Sequence, residues 1–511
     1  MAVFHPMDIP LGVLTDSYKA THFQMYPDAK VMSAYGEFRT SFQNDPSDQR
    51  FVFYGIRYLI EHYLSKKWTV EDVEKCEKFY STHNAGFKPF PFPKELFLKF
   101  IKENDGYFPV KIEALPEGSV VHVHTPVYQI SAKGDYAKLV TFFETILTHV
   151  WYPTCVATLS RMTKDNIEEG FEKSVDPESM WLLNSRLHDF GFRGTTCVEQ
   201  STIGGAAHLL NFDGSDTMSA CYYVQFNLNN GKPVGTSIPA TEHSVMTSWP
   251  TERDALHHII KQYGGNVFAT VMDSYDYERA LNKVVPSLAA EHKVKGGLWV
   301  FRPDSGDPVE AILMALRAGE NAFGTTKNKK GYKVINGAAC IQGDGIDKAV
   351  VKKILDAALA EGFSAQNIAY GMGGGLLQKV NRDTMSFATK LSYIEYADGR
   401  RHDIMKLPKT DAGKVSLPGL LRVKRDPNTG LEVVLPRSPD DESYDENDIL
   451  RPVYDMRPLD NKWDDFDTLR KRVADEWKRA PKLYDPISKE LKEKTATWID
   501  AQRKLLAEEK L

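Results

Sequence analysis

VFRPDSGDP, residues 300–308, sets the reading of the whole chain. The apolar run Leu298, Trp299, Val300 and Phe301 leads directly into Arg302, Asp304, Ser305 and Asp307. Pro303, Gly306 and Pro308 interrupt the backbone among those polar residues. This is the pattern of a buried strand whose C-terminal end opens into a rigid polar loop, and α/β proteins place their chemistry on such loops. Outward in both directions the device repeats. RLHDFGFRG (186–194), FDGSDT (212–217), IPATEHS (238–244), VMDSYD (271–276), CIQGDGID (340–347) and IAYGMGGGLLQK (368–379) each carry polar residues at a strand end. Helices follow several of them. In 346–359 the apolar stripe is Ile346, Val350, Ile354, Ala357 and Ala358, with Lys348, Lys352, Lys353 and Asp356 off it. Repeated βα units predict a parallel sheet closed as an α/β barrel, and an open doubly wound sheet is the alternative.

Before the repeats, residues 1–50 read as extended and polar, with Tyr18 and Lys19 in a polar turn that suits an ordinary surface. FVFYGIRYLIEHYLS (51–65) has roughly helical spacing and reads as a packed helix. Residues 69–82 and 93–104 read as amphipathic helices, 110–133 as a β-meander, and 135–151 and 157–174 as helices. His122 and His124, two apart, would share one face of a strand, a spacing that suits a metal. No further ligand cluster stands nearby, so a metal site is not expected. After the repeats come short strands and turns (391–436), an acidic turn-rich stretch (436–465) and two charged amphipathic helices (466–510). With no low-complexity linker, the terminal regions are expected to pack together against the barrel.

Composition narrows the class. The 511 residues are 42% hydrophobic and 26% charged, which suits a large core and argues against disorder. A formal net charge of −5, with mixed signs along the chain, lacks the basic excess of a nucleic-acid binder. No run of 18 apolar residues exists, so no membrane helix is expected, and the N-terminus does not read as a secretory leader. Five scattered cysteines without a CxxC pair fit reduced thiols in the cytoplasm. Cys197 and Cys340 lie near the loops and read as small buried residues.

The loops then suggest chemistry. GMGGG (371–375) follows a short strand and precedes a helix start, where glycines let backbone N–H groups approach an anion. The spacing satisfies neither a P-loop nor a dinucleotide fingerprint. QGDG (342–345) stands one unit earlier, and two glycine loops on the last strands of a barrel match its usual phosphate site. Lys379 and Arg382 follow as cations. Asp273, Asp304 and Asp344 each end a strand in a different unit. Converging on one barrel mouth, they could hold sugar hydroxyls or Mg²⁺ through water, although a lone aspartate there is often a helix cap. Arg193 and Arg302 beside them suit a polyanion. His243 could be a core histidine, a general base or a phosphate acceptor; Phe190 could stack on a planar ring or fill the core. The residues thus describe an α/β-barrel enzyme for a phosphorylated sugar.

Taken in order, TDSYK (15–19), HDFGFRG (188–194), SDT (215–217), PATEHS (239–244), MDSYD (272–276), RPDSGDP (302–308), QGDG and GMGGGLLQK (371–379) resemble the motifs of the nicotinamide phosphoribosyltransferases, from about residue 11 to 425. That resemblance implies a homodimer with shared active sites. It implies an irregular α/β barrel over 151–390, with a β-rich α/β sandwich built from 1–150 and 391–511. It implies transfer of phosphoribose from phosphoribosyl pyrophosphate to nicotinamide, with Mg²⁺ and with ATP as co-substrate. By position, Phe190 and the second subunit's Tyr18 resemble the rings on either face of nicotinamide, and Asp216 the carboxylate that accepts its amide N–H. Arg193 and Arg302 resemble the pyrophosphate and ring-side cations, and Asp273 and Asp304 the ribose and magnesium carboxylates. Gly343, Asp344, Gly373 and Gly374 resemble the ribose and 5′-phosphate cradle, with Arg382 near it and Arg39 reaching across the dimer. His243, beside Glu242, resembles the histidine phosphorylated by ATP. Two positions depart from the family: Lys232 is the only lysine between SDT and EHS, and Ala339 stands where a cation is often found. The rivals are a nicotinate phosphoribosyltransferase, whose family more typically reads RLDSG, and a non-catalytic binding protein on the same fold.

Overall fold

The computed structural model describes residues 9–407, 416–460 and 462–508. The first eight residues, part of the stretch read for a leader, lie outside the described residues. The chain divides into two compact units. One holds residues 1–155, 381–464 and 471–511; the other holds 156–380 and 465–470.

The second unit carries the repeats. Its parallel strands run in the order Leu187–Asp189, Ile368–Met372, Ala338–Gln342, Leu298–Arg302, Val267–Val271. Their registers pair Leu187 with Tyr370, Cys340 with Ile368, Ala338 with Trp299 and Val267 with Leu298. FDGSDT and IPATEHS form no full strands; they join by single parallel bridges, Asp189 to Ser215, Gly214 to Thr236 and Ala240 to Ala269. Those bridges close the five strands into an irregular ring. The buried His208 supports the closure, its Nε2 3.1 Å from the Leu187 carbonyl and 3.0 Å from that of Gly214. Inside lie Ala269, Val300, Ala339, Ile341 and Ala369, with Phe190 and Ile238 packed against them. Three of these five residues are alanines. Ala339 is buried among them, so the position has apolar surroundings.

Helices return each strand to the next. The helix Lys348–Ala360 buries Val351, Ile354, Leu355 and Ala358, so its inward stripe is turned from the one expected through Val350 and Ala357. Arg470 ties residues 465–470 to this unit by donating to the carbonyls of Leu209 and Phe212, each at 2.6 Å.

The first unit is built on a six-stranded antiparallel sheet. Its order is Arg401–Asp403, Phe387–Tyr396, Ala29–Phe38, Pro126–Lys133, Lys111–Ala114, Arg451–Asp455. The central strand Ala29–Phe38 corrects the reading of residues 1–50 as merely extended and polar. Met32 to Phe38 are all buried, so both faces are covered and the alternation that marks a half-exposed strand is missing. Residues 51–65 are not one helix either. Arg50–Val52 pairs with Val120–His122, and the helix begins at Ile56. Gly55 makes the break with φ +109°, and the buried Glu117 accepts the N–H groups of Gly55 and Arg57 at 2.9 and 3.0 Å. Residues 135–151 split into a 3₁₀ segment, Gly134–Leu139, and the short helix Glu144–Thr148.

His122 and His124 do not share a strand face. The strand stops at His122, and His124 has φ +68°. His122 is buried between Glu432 Oε1 and the Pro481 carbonyl, both 2.7 Å from its ring nitrogens. Among the described residues no three His, Cys, Asp or Glu side chains gather as a metal site, and no helix is long and apolar enough to cross a membrane.

Candidate active site

The strand ends of the second unit divide their acids by position. Asp273, Asp304 and Asp344 come first, and Asp276, Asp307 and Asp347 follow three residues later. The later acid is the helix cap in every case. Asp276 accepts from the Arg279 N–H at 2.9 Å. Asp307 accepts from Val309 and Glu310, both at 3.0 Å, and Asp347 from Ala349 and Val350, both at 2.9 Å. Capping is thereby satisfied, and the three strand-end acids are released from it.

Asp273 and Asp304 converge. Asp273 Oδ2 accepts the Asp304 N–H at 3.1 Å and the Ser305 hydroxyl. Its Oδ1 is buried without a hydrogen-bond partner. His243 opens the short helix His243–Thr247 after the Glu242 cap. Its Nε2 stands 3.2 Å from Asp304 Oδ2 and 3.9 Å from Asp273 Oδ1, and its Nδ1 is 3.0 Å from Ser274 Oγ. Arg302 donates from Nη2 to the Thr241 carbonyl at 3.1 Å, and its Nη1 lies 3.6 Å from Asp304. The Arg302 Nε is buried and unpartnered. One carboxylate oxygen and one guanidinium N–H thus stay unmatched at the same site, open to a ligand.

A cavity of about 440 Å³ adjoins this cluster, within the usual range for a small-molecule site. Phe190, Phe192, Arg193, Asp216, Glu242 and Arg302 are on its lining. Phe190 is half-buried, its backbone fixed by donation to the Met372 carbonyl at 3.0 Å. Asp216 is exposed and accepts the Ser237 hydroxyl.

The glycine loops serve the ring as well as any anion. A Cβ on Gly371 would lie 2.0 Å from Phe190 Cε2, and one on Gly343 3.0 Å from the same atom. Gly373 and Gly374 start the helix Gly374–Leu377, and near a Cβ on Gly374 only the flexible Gln378 amide would crowd, at 3.1 Å. Asp344 is exposed, its N–H donating to Gln342 Oε1 at 3.1 Å.

Tyr18, Arg382 and Arg39 belong to the first unit. Tyr18 and Arg382 line one pocket of about 350 Å³ together with Lys19, Glu144, Thr389 and Lys390. Arg39 is not on that lining; its Nε donates to the Ser386 carbonyl at 3.0 Å. Lys19 pairs with Glu144 at 2.9 Å. Burial, with Arg39 next, holds the Lys390 ammonium below its usual range. Lys390 was not legible as a site residue because it lies inside a strand, far in sequence from TDSYK.

Other residues also escaped the sequence reading. His188 lines the cavity wall, and burial lowers its pKa. Asp189, fully buried at the end of the first strand, is pushed up to about 6 by burial. Cys197 is exposed as the cap of the helix Val198–Leu209, correcting its reading as a buried residue, whereas Cys340 is buried as expected. Lys232 stands 3.8 Å from Asp465 and 3.9 Å from Asp467 and is not on the cavity lining.

Known proteins resemble this chain in sequence and in fold. Residues 185–440 match the nicotinate phosphoribosyltransferase family model, and residues 10–112 match the N-terminal domain of nicotinamide phosphoribosyltransferase. A nicotinamide phosphoribosyltransferase of Xanthomonas campestris pv. campestris (strain 8004) is 39% identical over 424 residues, covering 81% of this chain and 88% of the relative. One from Acinetobacter baylyi is 30% identical over 450 residues, with the same coverage, 81% and 88%. The crystal structure of human nicotinic acid phosphoribosyltransferase superposes with a TM-score of 0.60 at 16% identity, covering 95% of this chain and all of that one, a likeness of fold.

Proposed function

Because the chain belongs to the nicotinamide phosphoribosyltransferase family, we propose that it transfers phosphoribose from phosphoribosyl pyrophosphate to nicotinamide, releasing pyrophosphate and nicotinamide mononucleotide for NAD salvage. It is a pentosyltransferase. The observation that carries the reading is the joining of two features: a cavity lined by an aromatic ring, cations and a carboxylate, and beside it a histidine–aspartate–arginine cluster with unmatched polar atoms.

Phe190 offers one face to the pyridine ring, and Asp216 accepts the amide N–H. A carboxylate at that place repels nicotinate, so the amide is the favoured substrate. Breaking the C1–oxygen bond leaves positive charge on the ribose and negative charge on pyrophosphate. The pyridine nitrogen then forms the new bond to C1. It has no proton to lose, so no general base is needed, and the burden falls on positioning and fixed charge. Arg302 and Arg193 meet the departing pyrophosphate, and Arg302 brings an N–H that is already desolvated. Asp273 and Asp304 steady the ribose.

Mg²⁺ fits the same pair. Asp273 carries an unmatched buried oxygen, and Mg²⁺ takes one or two protein carboxylates alongside water and phosphate oxygens. Asp273 and Asp304 would hold it, through water or pyrophosphate; once bound, it neutralises charge on the leaving group. ATP is the proposed co-substrate. His243 takes its γ-phosphoryl group with release of ADP, and later hydrolysis of the phosphohistidine returns the imidazole and phosphate. The support is a side chain 44% exposed with both ring nitrogens held, by Asp304 and Ser274. Gly343, Asp344, Gly373 and Gly374 are assigned to the ribose 5′-phosphate side. A homodimer is assigned in which Tyr18 and Arg39 come from the second copy, and Arg382 is assigned to the 5′-phosphate; the cationic pocket that Arg382 lines supports a role toward an anion. Five free cysteines support a cytoplasmic setting.

The test is incubation with phosphoribosyl pyrophosphate, Mg²⁺ and either nicotinamide or nicotinate, followed by identification of the mononucleotide. Nicotinamide mononucleotide is expected. Product from nicotinate alone would sink the reading, and no product from either would favour a binding protein.

A further inference from the structure

The segment that carries Phe190 and Arg193 is held at its centre by two side chains that no comparison assigns. Asp189, fully buried, accepts the Gly191 N–H on Oδ1 at 2.7 Å. Gln378, just after the helix Gly374–Leu377, donates from Nε2 to the Gly191 carbonyl at 3.0 Å. Both polar groups of one peptide residue are therefore taken by side chains 189 positions apart in sequence. The space around the segment is closed as well. A Cβ on Gly191 would meet Leu377 Cδ1 at 2.6 Å, and one on Gly194 would meet the Gln378 amide at 2.7 Å. The turn closes on itself through Gly194 N–H to the Gly191 carbonyl, 3.0 Å. Asp189 reaches a second functional group by its backbone, its carbonyl accepting the Asp216 N–H at 2.9 Å.

A purely structural tie would not call for a carboxylate. Asp189 is fully buried with only the Thr217 hydroxyl near its second oxygen, and burying a carboxylate costs stability. We propose that Asp189 and Gln378 are positioning residues that clamp Gly191 and so fix Phe190 and Arg193, and through the Asp189 carbonyl Asp216, for the ring substrate. The inference rests on the nicotinamide reading of the cavity.

Asp189→Ala, Asp189→Asn and Gln378→Ala, each in the full chain, test it. Asparagine keeps an oxygen for the Gly191 N–H; alanine does not. The expected result is a rise of about 10-fold in nicotinamide KM for Asp189→Ala and for Gln378→Ala, the scale of one lost buried hydrogen bond, with kcat within about 3-fold. Asp189→Asn should restore KM to within about 3-fold of wild type. Hydrogen exchange at the Gly191 amide should quicken in Asp189→Ala and stay slow in Asp189→Asn, which reads the clamp independently of catalysis. Unchanged KM and unchanged exchange in both alanine variants would overturn the proposal. So would equal losses in all three variants that track a fall in melting temperature, since that is the mark of a merely structural role. If the wild type forms no mononucleotide, the functional reading fails while exchange still reports on the clamp.

Discussion

Replacing Gly371 with alanine should damage nicotinamide binding by way of one ring. The new Cβ would lie 2.0, 2.2 and 2.7 Å from Cε2, Cδ2 and Cζ of Phe190, where ordinary contact is 3.4–4 Å. The ring must retreat by roughly 1.5 Å to restore van der Waals contact. Its backbone cannot follow, because the Phe190 N–H is bonded to Met372 and the next residue is held by Asp189 and Gln378. The ring therefore turns off its rotamer, at about 0.5–1.5 kcal/mol, and loses stacking worth about 0.5–1.5 kcal/mol. Together these amount to about 1–3 kcal/mol and predict a nicotinamide KM raised roughly 5- to 150-fold, since about 1.4 kcal/mol is a factor of ten. Overpacking should lower stability by about 1–3 kcal/mol. Steady-state kinetics on Gly371→Ala, Phe190→Ala and the double variant close the cycle. If Gly371→Ala acts only by displacing the ring, the double variant matches Phe190→Ala within about 0.5 kcal/mol. Additive losses, or an unchanged KM in Gly371→Ala, would refute the reasoning.

The paired acids should separate by assay. Asp347→Ala should cost about 0.5–2 kcal/mol in denaturant unfolding with activity of the folded enzyme retained, whereas Asp344→Ala should leave stability within about 0.5 kcal/mol and lower kcat/KM for phosphoribosyl pyrophosphate. The opposite pattern would exchange their roles. Asp189 predicts a pH signature. Its folded pKa, about 6, lies above the unfolded value of 3.8, so between them the folded state holds more protons and stability falls as pH rises. Above that window the full cost, on the order of 3 kcal/mol, is present. Asp189→Asn should gain stability over wild type at pH 7.5 and lose that gain toward pH 4, so a difference independent of pH would sink the assignment. Asp216→Asn should lose preference for nicotinamide over nicotinate while keeping its melting temperature; unchanged preference means Asp216 does not read the amide. Labelled ATP should mark His243 in phosphohistidine mapping, and a label elsewhere would remove its role.

How much of this was legible in the sequence depends on the reach of each signal. The barrel was legible because every strand end announces itself locally: Trp299, Val300 and Phe301 are apolar, and the break to Arg302 and Asp304 follows at once. The division between chemical and capping acids was also local, a spacing of three at 273/276, 304/307 and 344/347, and could have been read without a structure. What failed to show were properties set by distant partners. The strand Ala29–Phe38 looks unremarkable alone, and it is central because Phe387–Tyr396 and Pro126–Lys133 cover its two edges. The glycines of GMGGG invite an anion reading, yet the need for Gly371 arises from a ring 181 positions earlier.

The same logic explains why Asp189 and Gln378 escaped notice beside the conspicuous Phe190 and Arg193. An aromatic or a cation advertises its chemistry by type, whereas a positioning residue is defined by what it holds. Asp189 looks like one more strand-end acid until its Oδ1 is seen on Gly191. Gln378 looks like a helix residue until its amide is seen on the carbonyl of the same glycine. A chain that only needed stability would relieve Asp189, since burial works against its charge. Retaining it makes sense where a few tenths of an ångström at Phe190 decide whether a weak neutral nucleophile meets its target in line.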